Sequence, residues 1–328
     1  MSLRIPPLVL LILGLTSTPT SAEWFKQQQA IMGTSVSVEL WHDEKKQAEN
    51  CIQQVMDNMQ RIDKAMSPFK PASELSRLNK TAVQTKFVAT KELFTLIKHA
   101  NKISALTRGR FDITFASVGY LYDYRKGIKP SKSQRETHVN AIDYRHIQLD
   151  ASRRSIHFKH PNVRIDLGGI AKGHAVDQGI EILRQCGIQS ALLSAGGDSR
   201  ILGDKRGQAW MTGIRHPRQK DKFIVAIPLS NTAISTSGDY ERFFIEDGVR
   251  YHHILNPASG EPAQKSRSVT VLGPDATTTD ALSTALFVMG PAQALSLVET
   301  LSGIDAIIID AGGKIHYSRG LQPPENKH

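Results

Sequence analysis

Three segments of this 328-residue chain carry residue types that do chemistry at workable spacings. In the first, Val163 to Asp177 (VRIDLGGIAKGHAVD), a short apolar strand leads into Asp166, then Gly168-Gly169, then a helix bearing Lys172, His174 and Asp177. Glycines ahead of a helix let backbone N–H groups approach an anion, and the helix dipole favours negative charge there. Phosphate fits that arrangement. A plain strand–turn–helix connection fits it equally, since glycine also serves tight turns. The segment matches neither a phosphate loop ending in GKS or GKT nor a GxGxxG dinucleotide fingerprint.

The second segment, GPDATTTDALSTALFVMG from Gly273 to Gly290, is helical from about Thr277. Helical spacing puts Asp280, Ser283 and Thr284 on one face, a carboxylate and two hydroxyls that suit a hard cation such as Mg²⁺. The competing reading is a helix cap at Thr277 with Asp280 in the first turn. Capping leaves the apolar remainder unexplained, because Ala281, Leu282, Ala285, Leu286, Phe287 and Val288 bury this helix, and a carboxylate there needs a partner. The third segment, Ser235 to Pro257, contains STSGDYERFF and RYHHILNP. Residues 250–255 read as a strand, so His252 and His253 face opposite ways and one of them can serve a site as general base. Weaker signals are Met32-Gly33-Thr34, Gly109-Arg110-Phe111-Asp112 and Ala195-Gly196-Gly197-Asp198, small-residue turns beside a charge.

These segments need a scaffold. Val36, Val38 and Leu40 alternate with polar neighbours as a strand does. Ala48, Cys51, Val55, Met59, Ile62 and Met66 follow helical spacing up to Pro68. A second helix covers about Lys91 to Leu106, and SPFKPASELSRLN between them reads as a turn-rich loop with Ser73 and Ser76 as capping candidates. Beyond Ile142 short strands dominate, at 191–194, 209–214, 223–228, 250–255, 268–272 and 306–309. They are interrupted by a helix at about 171–186 and by helices over 277–301 that break at Gly290-Pro291. Strands with few helices between them indicate an α+β fold rather than a doubly wound sheet.

The bulk properties set the context. Residues 1–22 (MSLRIPPLVLLILGLTSTPTSA) carry Arg4, an apolar run from Leu8 to Leu15 and a small-residue end, the pattern of a cleavable secretory signal with a cut before Glu23. Eight apolar residues are too few to span a bilayer, which takes roughly 20. The expected organisation is therefore a signal over 1–22 and one domain over 23–328, working in the periplasm without a lipid-anchor cysteine or a transmembrane span. Removing the signal takes only Arg4 from the formal net charge of +10. The basic residues are scattered rather than interleaved with aromatics, so nucleic acid is not an expected partner. Cys51 and Cys186 both fall in helical patterns as small core groups; an oxidising compartment also permits a disulfide.

Together these segments resemble the ApbE family of FAD:protein FMN transferases. The resemblance is carried in order by IMGTSVSV, MSPFKPASELSRLN, GRFDIT, RIDLGGIAKGHAVD, AGGD, STSGDY, HHILNPASGEP and TTTDALSTALFVMG. It implies a bilobal α+β fold with mixed or antiparallel sheets and packed helices, and FAD in a cleft between the lobes. It also implies transfer of FMN from FAD to a threonine of an acceptor protein, with Mg²⁺ at the pyrophosphate and release of AMP. Acceptors in such a family are subunits of membrane redox pumps and related electron-transfer proteins. By position, Asp280 and Thr284 match metal ligands, Ser283 lies between them, and Gly169 matches a position contributing through its backbone. Met32, Phe69, Arg110, Phe111, Asp112, Asp166, Lys172 and Ile254 match positions lining the FAD site, and His253 matches a histidine proposed to act in catalysis. Three departures stand out: Phe69 where tyrosine is common, Asn256 where aspartate is usual, and FASVGYLYDY after GRFDIT, which affects substrate contacts around Ala116 to Tyr122. Other readings are an Mg²⁺-dependent FAD pyrophosphatase and a non-catalytic flavin carrier for an exported redox enzyme.

Overall fold

A computed structural model describes residues 22–219 and 221–322; apart from Ala22, the expected signal lies outside them. Its backbone is an eight-stranded antiparallel sheet whose spatial order follows the chain: β1 (Glu23–Ile31), β2 (Thr34–His42), β3 (Ala191–Ala195), β4 (Asp198–Leu202), β5 (Ala233–Gly238), β6 (Ser266–Gly273), β7 (Asp305–Asp310) and β8 (Ile315–Tyr317). Ile31 pairs with Thr34, so Met32-Gly33 forms the whole β1–β2 turn. Both residues sit at positive φ, 56° and 71°. A two-residue hairpin demands that conformation, because its twist then matches that of the strands.

The long excursion between β2 and β3 supplies α1 (Lys45–Met66), α2 (Glu74–Thr81), α3 (Lys91–Leu106) and α4 (Ala171–Gln185). Helix α1 buries Ala48, Cys51, Ile52, Val55, Met56, Met59, Ile62 and Met66, the stripe that its spacing predicts, and packs against β1, β2 and α4. It stops at Ser67, which is extended because Pro68 follows. A small antiparallel sheet of Phe87–Val88, Ser155–Phe158 and Ile147–Asp150 closes this part of the molecule. Between β6 and β7, α5 (Ala276–Met289) and α6 (Pro291–Val298) break at Gly290-Pro291 as expected. Helix α5 is buried on nearly all sides, against α4, β5 and β6. Among the described residues no helix is long and apolar enough to cross a membrane.

Three expectations are corrected, and the cysteine pairing that the sequence left open is resolved. Glu74–Thr81 is a helix rather than loop; Ser73 caps it by accepting from Ser76 N at 2.9 Å, so Ser76 is a donor within the cap and not a cap itself. The cap of α5 is Asp275, which accepts from Thr278 N at 2.7 Å, and not Thr277. The strand expected over 250–255 is two pieces: Val249–His252 pairs with Phe243–Glu246, and Leu255–Asn256 pairs with Glu261–Pro262. His253 lies in the break. Cys51 and Cys186 are disulfide-bonded, with Cα atoms 6.2 Å apart, tying α1 to the end of α4.

Candidate active site

Helices α4 and α5 cap one another. Asp177 of α4 accepts from the first two amides of α5, Ala276 N at 2.9 Å and Thr277 N at 2.8 Å. In return Asp280 of α5 accepts from Gly173 N, in the first turn of α4, at 3.1 Å. Each carboxylate sits where the other helix has unpaired N–H groups and a positive dipole end. This exchange needs Gly173, since a Cβ there would overlap the carbonyl of Ala276. It also places Asp280 against Lys172.

The Lys172 ammonium is shared among three acceptors. It lies 2.8 Å from Asp198 Oδ2, 3.2 and 3.3 Å from the two oxygens of Asp280, and 3.1 Å from Gly168 O. Both carboxylates are almost fully buried. Burial opposes the lysine's charge, but the two carboxylates outweigh it and hold the pKa above the ordinary lysine value. For Asp280 burial is the largest influence and Asp198 adds to it, so the pKa is raised although Lys172 and the Gly173 amide pull it down.

Next to this cluster is a row of hydroxyls. Alternation on β5 points Ser235 and Ser237 at α5, where helical spacing presents Thr279, Ser283 and Thr284. Ser235 Oγ meets Thr279 Oγ1 at 2.9 Å, and Ser237 Oγ meets Ser283 Oγ at 2.8 Å and Thr284 Oγ1 at 3.2 Å. Gly169 packs against the same hydroxyl: a Cβ on it would stand 3.3 Å from Thr284 Oγ1 and 3.3 Å from Phe111. Asp280, Ser283, Thr284 and Gly169 therefore form one neighbourhood, with Phe111 buried behind it. A carboxylate with hydroxyl and backbone oxygens is a hard, all-oxygen donor set, which fits Mg²⁺ rather than a softer ion. Among the described residues no three His, Cys, Asp or Glu side chains gather as a metal site.

The other residues singled out in the sequence are placed as follows. Asp166 turns its Oδ1 onto Gly168 N at 2.6 Å, shaping the glycine turn, and burial raises its pKa against that bond. Its own amide donates to Ile113 O, which joins the turn to the GRFDIT segment. Asp112 is committed to structure: it accepts from Thr114 N at 2.8 Å, Thr114 Oγ1 at 2.6 Å and Tyr144 N at 2.7 Å. Arg110 is half-buried beside it. Phe69 stands 82% exposed in the turn before α2, with its ring free to take a planar partner. Met32 borders a cleft of about 580 Å³ that is also lined by Gln28, Ser35 and Asp63. Ile254 is buried and accepts from Ala263 N at 3.0 Å.

The two histidines differ sharply. His252 is buried and paired at both nitrogens, Nε2 to Ala263 O at 2.7 Å and Nδ1 to Ile254 N at 3.3 Å. His253 has a buried Nδ1 without a partner among the described residues. Burial, and then the charge of Arg242, lower its pKa to about 3. Arg242 was not foreseen: its guanidinium lies 3.4 Å from where a Gly33 Cβ would stand, and its charge reaches both Asp166 and His253. Ser237 and Asp198 were also missed as site residues. Their motifs STSGDY and AGGD were visible, but their partners are on distant elements.

The divergent stretch after GRFDIT is occupied with packing. Tyr120 bonds His138 Nε2 at 3.1 Å beneath the Arg164 guanidinium, and Tyr122 donates to Gly260 O at 3.1 Å. Tyr122, Tyr124, Phe244 and Tyr251 then form a chain of rings with centroid separations of 5.6, 6.2 and 5.1 Å. That chain fastens the stretch to the hairpin preceding His253.

Helices laid on an antiparallel sheet thus carry a buried lysine among carboxylates, beside a glycine turn and a row of hydroxyls. The chain belongs to the ApbE family, whose model matches residues 32–308. A Haemophilus influenzae protein named FAD:protein FMN transferase is 32% identical over 82% of this chain and 81% of its own length. A Treponema pallidum protein of the same name is 28% identical over 97% of this chain and 94% of its own. Among solved structures, the Thermotoga maritima ApbE protein superposes with a TM-score of 0.84 at 34% identity, covering 91% of this chain and 98% of that one. The flavin transferase ApbE of Vibrio cholerae gives 0.82 at 27% identity, with the same coverage.

Proposed function

We propose that this enzyme transfers the FMN half of FAD to a threonine hydroxyl of an acceptor protein and releases AMP. The observation that carries the reading is the Lys172, Asp280 and hydroxyl neighbourhood, in a chain whose relatives are named FAD:protein FMN transferase. The threonine oxygen forms a bond to the FMN phosphorus while the bond from that phosphorus to the AMP oxygen breaks. Asp280, Ser283, Thr284 and the backbone at Gly169 would hold Mg²⁺, which supplies charge stabilisation at the pyrophosphate when bound. Lys172 and the Gly169 amide would face phosphate oxygens, the Gly168 amide being held by Asp166. Phe69 offers its exposed ring to the flavin, and Met32, Arg110, Phe111, Asp166 and Ile254 line or brace the binding cleft.

His253 takes the threonine proton in this scheme. In the free protein its imidazole is neutral, because burial and Arg242 oppose protonation. A bound pyrophosphate would offset the charges of Arg242 and Lys172 and raise its basicity. We also place the mature enzyme in the periplasm after removal of residues 1–22, with subunits of membrane redox pumps or related electron-transfer proteins as acceptors. The Cys51–Cys186 disulfide suits that oxidising compartment.

The test is incubation of purified protein with FAD, Mg²⁺ and an acceptor domain. A fluorescent acceptor band that survives denaturation and disappears when the acceptor threonine is replaced is the expected result. AMP and free FMN formed without acceptor would replace transfer with FAD hydrolysis. Fractionation of producing cells, with N-terminal sequencing that begins at Glu23, checks the compartment.

A further inference from the structure

Lysine has three donors, and Lys172 uses them unequally. Its shortest contact is Asp198 Oδ2 at 2.8 Å, its next is Gly168 O at 3.1 Å, and it straddles both oxygens of Asp280 at 3.2 and 3.3 Å. Asp280 is thus the looser partner, and it is also the carboxylate that faces the hydroxyl row. Asp198 projects from β4, opposite Ser235 of β5, and is 2% exposed. Two buried carboxylates against one ammonium leave the cluster one charge short of balance, a state a divalent cation relieves.

We propose that Asp198 is a positioning residue whose carboxylate retains the Lys172 ammonium when Asp280 passes to a divalent cation. This rests on the proposed Mg²⁺ site. Without Asp198 the ammonium has Asp280 as its sole carboxylate partner and competes with the metal for it. With Asp198 present, lysine and metal hold separate carboxylates, and the lysine stays beside Gly168, where a phosphate oxygen replaces the contact it gives up.

Two measurements on the full mature chain test this, with Mg²⁺ alone and neither FAD nor acceptor, so they do not depend on whether threonine or water receives FMN. In calorimetric titrations Asp198→Asn weakens Mg²⁺ binding about tenfold, and the loss shrinks to about threefold or less in a Lys172→Met background. Asp198→Glu, which keeps the charge, holds affinity within about threefold of wild type. An equal loss in both backgrounds, a Glu variant as weak as the Asn variant, or no Mg²⁺ uptake by wild type overturns the proposal. Should Asp198→Asn fail to fold, a crystal structure of the Mg²⁺-loaded wild type decides. Lys172 Nζ then sits within about 3 Å of Asp198 and clear of Asp280; a lysine still bonded to Asp280 overturns the proposal.

Discussion

Two ionic clusters meet on α4, and they are built to opposite specifications. In one, Glu92 receives Arg61 through both oxygens, at 2.5 and 2.8 Å, and His174 at 2.9 Å. Its pKa falls to about 2, chiefly through Arg61. The one carboxylate there has its full set of donors, and the cluster clamps α1, α3 and α4. The other cluster, two residues away along α4, holds Lys172 among Asp198 and Asp280 with one carboxylate in excess. A satisfied network stabilises a scaffold. An unsatisfied one is tolerated where a ligand completes it.

Substitutions in the two clusters should separate activity from stability. Asp280→Asn, which keeps an acceptor for the Gly173 amide, should lower FMN transfer about a thousandfold, or about 4 kcal/mol, with little change in melting temperature; full turnover would break the contrast. Replacing both Cys51 and Cys186 by alanine should cost about 3–4 kcal/mol in denaturant unfolding, since the bridge spans 135 positions and long loops lose the most entropy on closure. His253→Gln should slow transfer by about 100-fold or more.

The same histidine predicts a pH effect. Its native pKa is depressed, so the unfolded chain binds the extra proton. This contribution to stability is present above the ordinary value of 6.5 and is lost as pH falls from there toward about 3. The His253→Gln variant should show a flatter melting temperature across that window.

Glu92→Gln should cost about 1–2 kcal/mol at neutral pH, once solvent screening at a half-buried site is counted, and leave transfer within about twofold. Glu92's contribution is present above 4.5 and lost as pH falls through about 2, so the difference from wild type should close there. A Glu92 variant that loses activity without losing stability would reverse the roles of the two clusters.

What the sequence revealed, and what it hid, divides along the reach of each interaction. Helix α1 was legible because its stripe repeats over six turns, and the break between α5 and α6 because Gly290-Pro291 marks it. Helix α2 was not, since eight residues with Leu75 and Leu78 inside a Pro- and Ser-rich stretch give hardly two turns of pattern. The site's main carriers, Lys172, Asp280 and Thr284, were readable within their own segments. Asp198, Ser237 and Arg242 acquire meaning only when β4, β5 and the following hairpin converge, and local periodicity does not report that convergence. His253 was noticed for its type, but the break that frees it from the strand is set by pairing with residues 261–262. The cysteine pairing was beyond reach for the same reason.

The disulfide has a consequence for the molecule's integrity. Cys51 and Cys186 stand near the two ends of the excursion that leaves the sheet after β2 and returns at β3, so they close that excursion into a covalent ring. A protease that cuts once inside the ring, at an exposed site such as Lys126, opens a loop but releases no fragment. The nicked protein should migrate as one species until a reductant is added.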